Sequence, residues 1–186
     1  FQLFGFAGLF AVGVGLHAIP RFRGAPPVPN ALVASAYLGT VGGVVLRGVA
    51  QPTADLPGRT AILAVAGALL VLGAIAFAYG AIRALVGGRN PHRPDELVIG
   101  AGVCALPVAA LLVALEMTPG APVLVDQAAD DRAVWVMLLG FLATLVFGVW
   151  ARLAPGFDAA MPARARPLVV GAALWHAGVV ALALEL

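Results

Sequence analysis

This sequence contains no lysine and a single cysteine. Its basic charge is carried by eleven arginines, set against nine Asp and Glu. Cys104 alone excludes an intrachain disulfide and says nothing about redox compartment. Charged residues make up 11% of the chain, less than half of the ~25% usual in a soluble domain. That shortage excludes a water-covered globule. No HxxxH, CxxC or paired-carboxylate spacing occurs, so no complete metal site or acid–base pair is written locally. No Walker-type or dinucleotide glycine motif is present, and no basic-aromatic surface points to nucleic acid. Phe1 follows no charged n-region and no small-residue cleavage site, so the opening run is not a signal peptide. Apolar sequence reaches both Phe1 and Leu186, and the chain is therefore expected to be part of a longer polypeptide, cut within helices.

What the chain has in abundance is apolar sequence. Hydrophobic residues account for 62%, mean hydropathy is +1.01, and apolar runs recur at the ~20-residue length that crosses a hydrocarbon core. The expected fold is an all-α, polytopic membrane helix bundle of about six spans in one unit, residues 1–186, with the lipid bilayer as its first partner. A barrel is excluded because strand alternation is absent, and unpaired backbone cannot sit in lipid. The spans read as about Phe1–Ile19, stopped by Pro20, and Asn30–Ala50, with Asn30 as N-cap. Arg59–Val86, then Asp95–Glu116 with Pro107 inside it, follow. The last two are Asp130–Ala154, stopped by Pro155, and Arg166–Leu186. Arg21, Arg23, Arg83, Arg89, Arg93, Arg152, Arg164 and Arg166 fall on one side of this scheme. Arg47, Arg59 and Arg132 fall on the other. The positive-inside rule makes the first side cytoplasmic, in a cell inner membrane, with the loop arginines serving topology and headgroup contact.

The chain also repeats itself. Leu3–Val45 aligns without a gap on Leu138–Val180, at a constant offset of 135. Gly5-Phe6 meets Gly140-Phe141, Pro20 meets Pro155, Phe22 meets Phe157, and Gly43-Val44-Val45 meets Gly178-Val179-Val180. Twelve of the 43 pairs are identical, and in so Ala- and Val-rich a chain the ungapped register outweighs the count. Spans one and five are separated by an even number of helices and so run the same way. The expectation is a parallel repeat with a four-helix unit, residues 1–137, and the start of a second, residues 138–186.

Few residues within the spans can carry chemistry. His176 lies about ten residues into the sixth span, near mid-membrane at ~1.5 Å per residue. An ionisable group there suggests function by default, and imidazole is a common haem and metal ligand. Its neighbours three and four residues away are Ala172, Ala173, Val179 and Val180, so its partner is expected on another span or in a bound ligand. The competing reading is an interhelical hydrogen bond. His17, four residues before Arg21, shares a helix face with it and is a ligand, part of an anion site, or an interfacial residue. Its repeat mate is Arg152. Arg47 ends the second span, where it meets a haem propionate or a lipid phosphate. His92 reads as a surface residue. The glycines at 5, 8 and 15, and at 39, 42 and 43, read as packing seams.

Phe4-Gly5-Phe6, Pro20, Phe22, Gly24 and the helix ending in Leu46-Arg47-Gly48 resemble the NnrS family of multi-spanning bacterial membrane proteins. They also look like the wider group of haem-copper oxidase subunit I relatives. The resemblance covers roughly residues 1–50 and, more weakly, 138–157. It implies haem, and possible copper, in nitric oxide or oxygen-related redox metabolism, on helices arranged in four-helix units. The family's histidines would precede Phe1, so its ligand roles carry over only to His17 and His176. A cofactor-free carrier, channel or assembly subunit working with other membrane subunits is the second class that fits. A reduced-minus-oxidised optical spectrum separates the two.

Overall fold

A computed structural model describes residues 2–53, 55–117, 127–157 and 165–184. Every regular element among them is helical. Six helices are long and apolar enough to cross a membrane, and the chain is a multi-pass membrane protein. We label them α1 to α6. α1 opens as a π-helix over Gln2–Gly8 and continues as α-helix over Leu9–Arg23. α2 is Asn30–Ala50, α3 is Arg59–Gly87 and α4 is Pro94–Glu116. α5 runs as α-helix over Gln127–Trp135, π-helix over Val136–Ala143 and α-helix over Thr144–Phe157. α6 is Ala165–Leu184. The acidic loop expected at 118–129 lies outside the described residues as far as 126, and the loop at 155–165 lies outside them from 158 to 164, with Arg164 and the Pro162 match.

Three boundaries differ from the sequence reading. Pro20 does not stop α1, which runs on to Arg23 and closes at Gly24 in the left-handed conformation, φ 59°. Proline removes one N–H bond and clashes with the preceding turn. So near the helix end, tertiary contacts offset that loss, and Pro20 itself is buried. The fifth span likewise passes Pro155 to reach Phe157. Asn30 is not the cap of α2. Pro29 takes that place with φ −54° and ψ 137°, and its carbonyl accepts from Leu32 and Val33 at 2.9 and 3.1 Å. The second prolyl carbonyl of a Pro-x-Pro turn thus starts the helix, and the Asn side chain makes no cap hydrogen bond.

α3 and α4 form the middle of the bundle. α2 and α1 pack on α3, while α5 and α6 pack on α4. The α2–α3 seam is built from glycine. A Cβ on Gly39 would lie 2.8 Å from the Cα of Gly73, and one on Gly43 would lie 2.6 Å from Leu70 Cγ. Backbones this close exchange dispersion contacts that larger residues would prevent, which is how helices associate without a hydrophobic driving force. The α4–α5 seam follows the same rule. Gly102 faces Thr144 and Leu145, Gly148 faces Ile99, and one turn further on Asp95 faces Arg152. Phe77 of α3 meets Phe141 of α5 edge-on at 5.8 Å in the buried centre.

The aligned halves coincide in two places. The π-helical segments end at Gly8 and at Ala143, positions 135 apart. Gly5 packs against Val44, and Gly140 packs against Val179. Both residues of the second contact are the repeat mates of the first. The nearest neighbour of Gly140, however, is Ala105 of α4.

Candidate functional site

His176 sits on the side of α6 that meets α4 and α5. Its position follows from the π-helical segment of α5. A π turn loosens the α-helical bonding and is frequent at functional sites. Here the Leu139 carbonyl accepts two side-chain hydrogen bonds, from Thr144 Oγ1 at 2.9 Å and from Trp175 Nε1 at 3.1 Å. Trp175 also meets Phe147 of α5 edge-on, ring centroids 5.7 Å apart. Held at Trp175, α6 presents the next residue, His176, to its neighbours.

The His176 ring has one nitrogen engaged and one open. Nδ1 donates to the Ala172 carbonyl at 2.8 Å. A carbonyl only accepts, so Nδ1 carries the proton and Nε2 holds a lone pair in the neutral ring. The sequence reading placed this partner on another helix or in a ligand. The backbone of its own helix supplies it instead, because an imidazole reaches the carbonyl one turn back. Nε2 is buried and has no hydrogen-bond partner among the described residues. Leaving such an acceptor unmet costs ~1–3 kcal/mol, so the open lone pair calls for an occupant. His176 is among the residues that line a cavity of 340 Å³ between α4, α5 and α6. Val98, Thr144, Phe147, Trp150, Leu168 and Trp175 supply most of its wall. This volume lies at the lower end of the ~300–1,000 Å³ range of small-molecule sites.

The other two candidates lie elsewhere. Arg47 donates from Nε to Gln51 at 2.8 Å and pairs with Glu116 across 3.8 Å. It lines a separate cavity of 510 Å³ with Leu3, Phe4, Gln51, Val113 and Asp131. His17 is exposed on α1 and lines neither cavity. His17, Arg47 and His176 are therefore not brought together. The glycine pattern, by contrast, found its place: Gly15 lies against Phe77, Gly8 against Met137, and Gly42 against Leu69.

The chain matches no protein-family model, no curated protein and no solved structure.

One cluster escaped the sequence reading. At the arginine-rich end, Arg23 is 1% exposed, although it was grouped with the loop arginines. Its Nε donates to the Leu85 carbonyl at 2.8 Å, Nη1 donates to the Asn90 carbonyl, and Nη2 donates to the Gly88 carbonyl at 3.2 Å. Its guanidinium pairs with Glu96 at 3.4 Å. Asp95, also 1% exposed, pairs with Arg93 at 3.0 Å and Arg152 at 3.6 Å. His92 is exposed as expected, yet its ring lies between Arg23 Nη2 at 3.3 Å and Glu96 at 2.9 Å. The available signal was the Asp95-Glu96 pair opening a span opposite several arginines. A fan of three carbonyls from the end of α3 and the loop after it is what guanidinium geometry suits and ammonium does not.

Proposed function

We propose that the protein is a haem-binding integral membrane protein, in which His176 is the residue of this chain that would hold the haem. The observation that carries this reading is a buried Nε2, unpartnered among the described residues, on a histidine that lines a cavity and whose Nδ1–H is fixed by a carbonyl. Ligating histidines are oriented this way, the second nitrogen bonded to a carbonyl or carboxylate so that tautomer and ring angle are set. The donors on hand suit haem, whose macrocycle supplies most of the iron's ligands, so that one protein imidazole would suffice to hold it. Among the described residues no three His, Cys, Asp or Glu side chains gather, so the single imidazole favours haem over copper as the group bound here. His176 would hold the group, Phe147, Trp150 and Trp175 would flank it, and Trp175 would keep α6 in register. Haem, when bound, supplies a redox-active iron able to take a small neutral ligand, in line with the nitric oxide or oxygen-related chemistry that the NnrS resemblance implies. Arg47 and His17 take no part at this site, since neither lines the cavity.

The arginine asymmetry supports an inner-membrane setting with the Arg23 end toward the cytoplasm. The second reading is a cofactor-free carrier, channel or assembly subunit. The separation of the three candidates favours it, because His176 then serves packing alone. The test is a reduced-minus-oxidised spectrum of the purified protein and of His176→Ala. The haem reading expects a Soret band that His176→Ala abolishes or shifts while the variant still inserts. An unchanged spectrum in the variant, or no haem in the parent protein, defeats it.

A further inference from the structure

We infer that the open face of α6 formed by Gly171, Leu174 and Gly178 is the docking surface for a further transmembrane helix built like α3. The occupant is an uncharged helix presenting a leucine and a glycine one turn apart.

The first observation is the emptiness of this face. A Cβ on Gly178, or on Gly171 at the edge of the His176 cavity, would meet nothing within 4 Å, and Leu174 is 69% exposed. Only 6% of the α6 span is buried, against 22% to 44% for the other five. A small-residue face alone says nothing about a partner, because lipid covers it equally well.

The second observation names the partner. At the offset of 135, Gly171, Leu174 and Gly178 are the mates of Ala36, Gly39 and Gly43 on α2. Those α2 residues are the ones pressed onto α3. Gly39 meets the Gly73 backbone, Gly43 meets Leu70 and the Ala66 carbonyl, and Ala36 is fully buried. The correspondence is present in space as well as in sequence. Gly5 lies near Val44 and Gly140 near Val179, a pair of mated contacts, although Gly140 lies closer still to Ala105 of α4, and the π-helical segments end in register. With its inner contact matched, α6 turns outward the face that α2 turns to α3. The same close approach then asks for the same kind of surface: Leu70 and Gly73 on α3 are three residues apart and lie on one helix face. A charged or bulky helix would not reach the Gly178 backbone. Gly39 becoming Leu174 removes one of the closest approaches, so the crossing centres on Gly178, the mate of Gly43.

The test uses the protein in its native membrane, with Cys104 replaced by Ala. Gly178→Cys and Leu174→Cys carry a nitroxide label, and collision with lipid-dissolved oxygen is read against Val86→Cys and Leu97→Cys, both on exposed surface. Shielding at 174 and 178 by several-fold relative to the two controls is expected. Equal accessibility overturns the proposal and leaves lipid on this face. Co-purification of two differently tagged copies, lost in Gly178→Leu, assigns the face to a second copy and also overturns it. A folding readout guards against a misleading label. Gly178→Leu should reduce the yield of folded protein several-fold, whereas Val180→Leu should not. Equal yields contradict the proposal, because Gly178 has room for any side chain unless another helix fills it.

Discussion

Replacing Arg23 by Leu tests the cluster at the arginine-rich end most directly. The side chain is 1% exposed and serves the carbonyls of Leu85, Gly88 and Asn90 together with Glu96. Leucine keeps much of the volume and removes every donor. Glu96 retains His92 at 2.9 Å and Arg152 at 3.9 Å, so its charge is not wholly abandoned. The three carbonyls lose their donor. Breaking one side of a buried ion pair costs ~3–5 kcal/mol, and the remaining partners of Glu96 place the expected loss near the lower end, ~3 kcal/mol. Arg23→Lys keeps the charge but cannot fan across three carbonyls, and should lose part of this. Reversible unfolding in mixed micelles with increasing SDS, followed by far-UV circular dichroism, measures it, with exposed Arg21→Leu as the control expected to change little. A loss below ~1 kcal/mol for Arg23→Leu would refute the reasoning, since it falls in the range of surface ion pairs.

Three further outcomes follow from particular contacts. Gly39→Ala should destabilise the protein by ~1–3 kcal/mol in the same assay, because its Cβ would meet the Gly73 backbone, and overpacking of that order costs this much. Trp175→Phe should lose ~0.5–1.5 kcal/mol, the net worth of one hydrogen bond, and should shift any ligand spectrum that depends on the His176 orientation. Arg89→Cys in a Cys104→Ala background should resist a membrane-impermeant maleimide added to intact cells and react after lysis. Ready labelling in intact cells would reverse the assigned orientation.

The helices were legible because lipid permits few other backbones, and apolar length alone located all six. The proline boundaries were not, since Pro20 and Pro155 cost one bond each and the surrounding contacts decide whether a helix continues. The glycine seams were readable as spacing, but which helix fills them depends on the assembled bundle. His176 stood out in sequence because an imidazole is rare at mid-span. Its Ala172 partner did not, because a backbone carbonyl is invisible to any inspection of side chains three and four residues away. Arg23 was misjudged for a related reason. Its class is normally exposed, and the carbonyls that receive it, at the end of α3 and in the loop after it, come from residues 62 to 67 positions later.

The π-helical segment of α5 has a consequence for reading this protein as a product of history. A π turn is what a single added residue does to an α-helix whose two ends stay in place. Removing that residue would restore the regular helix and rotate everything beyond it by about 100°. Arg152 would swing away from Asp95, and the Leu139 carbonyl would return to the helix ladder and release Trp175. Such a residue can therefore be gained or lost only together with the contacts on both sides of it. The two segments end at Gly8 and Ala143. If the halves descend from one ancestor, the addition preceded the copying, and each copy has since kept a residue that neither can shed alone.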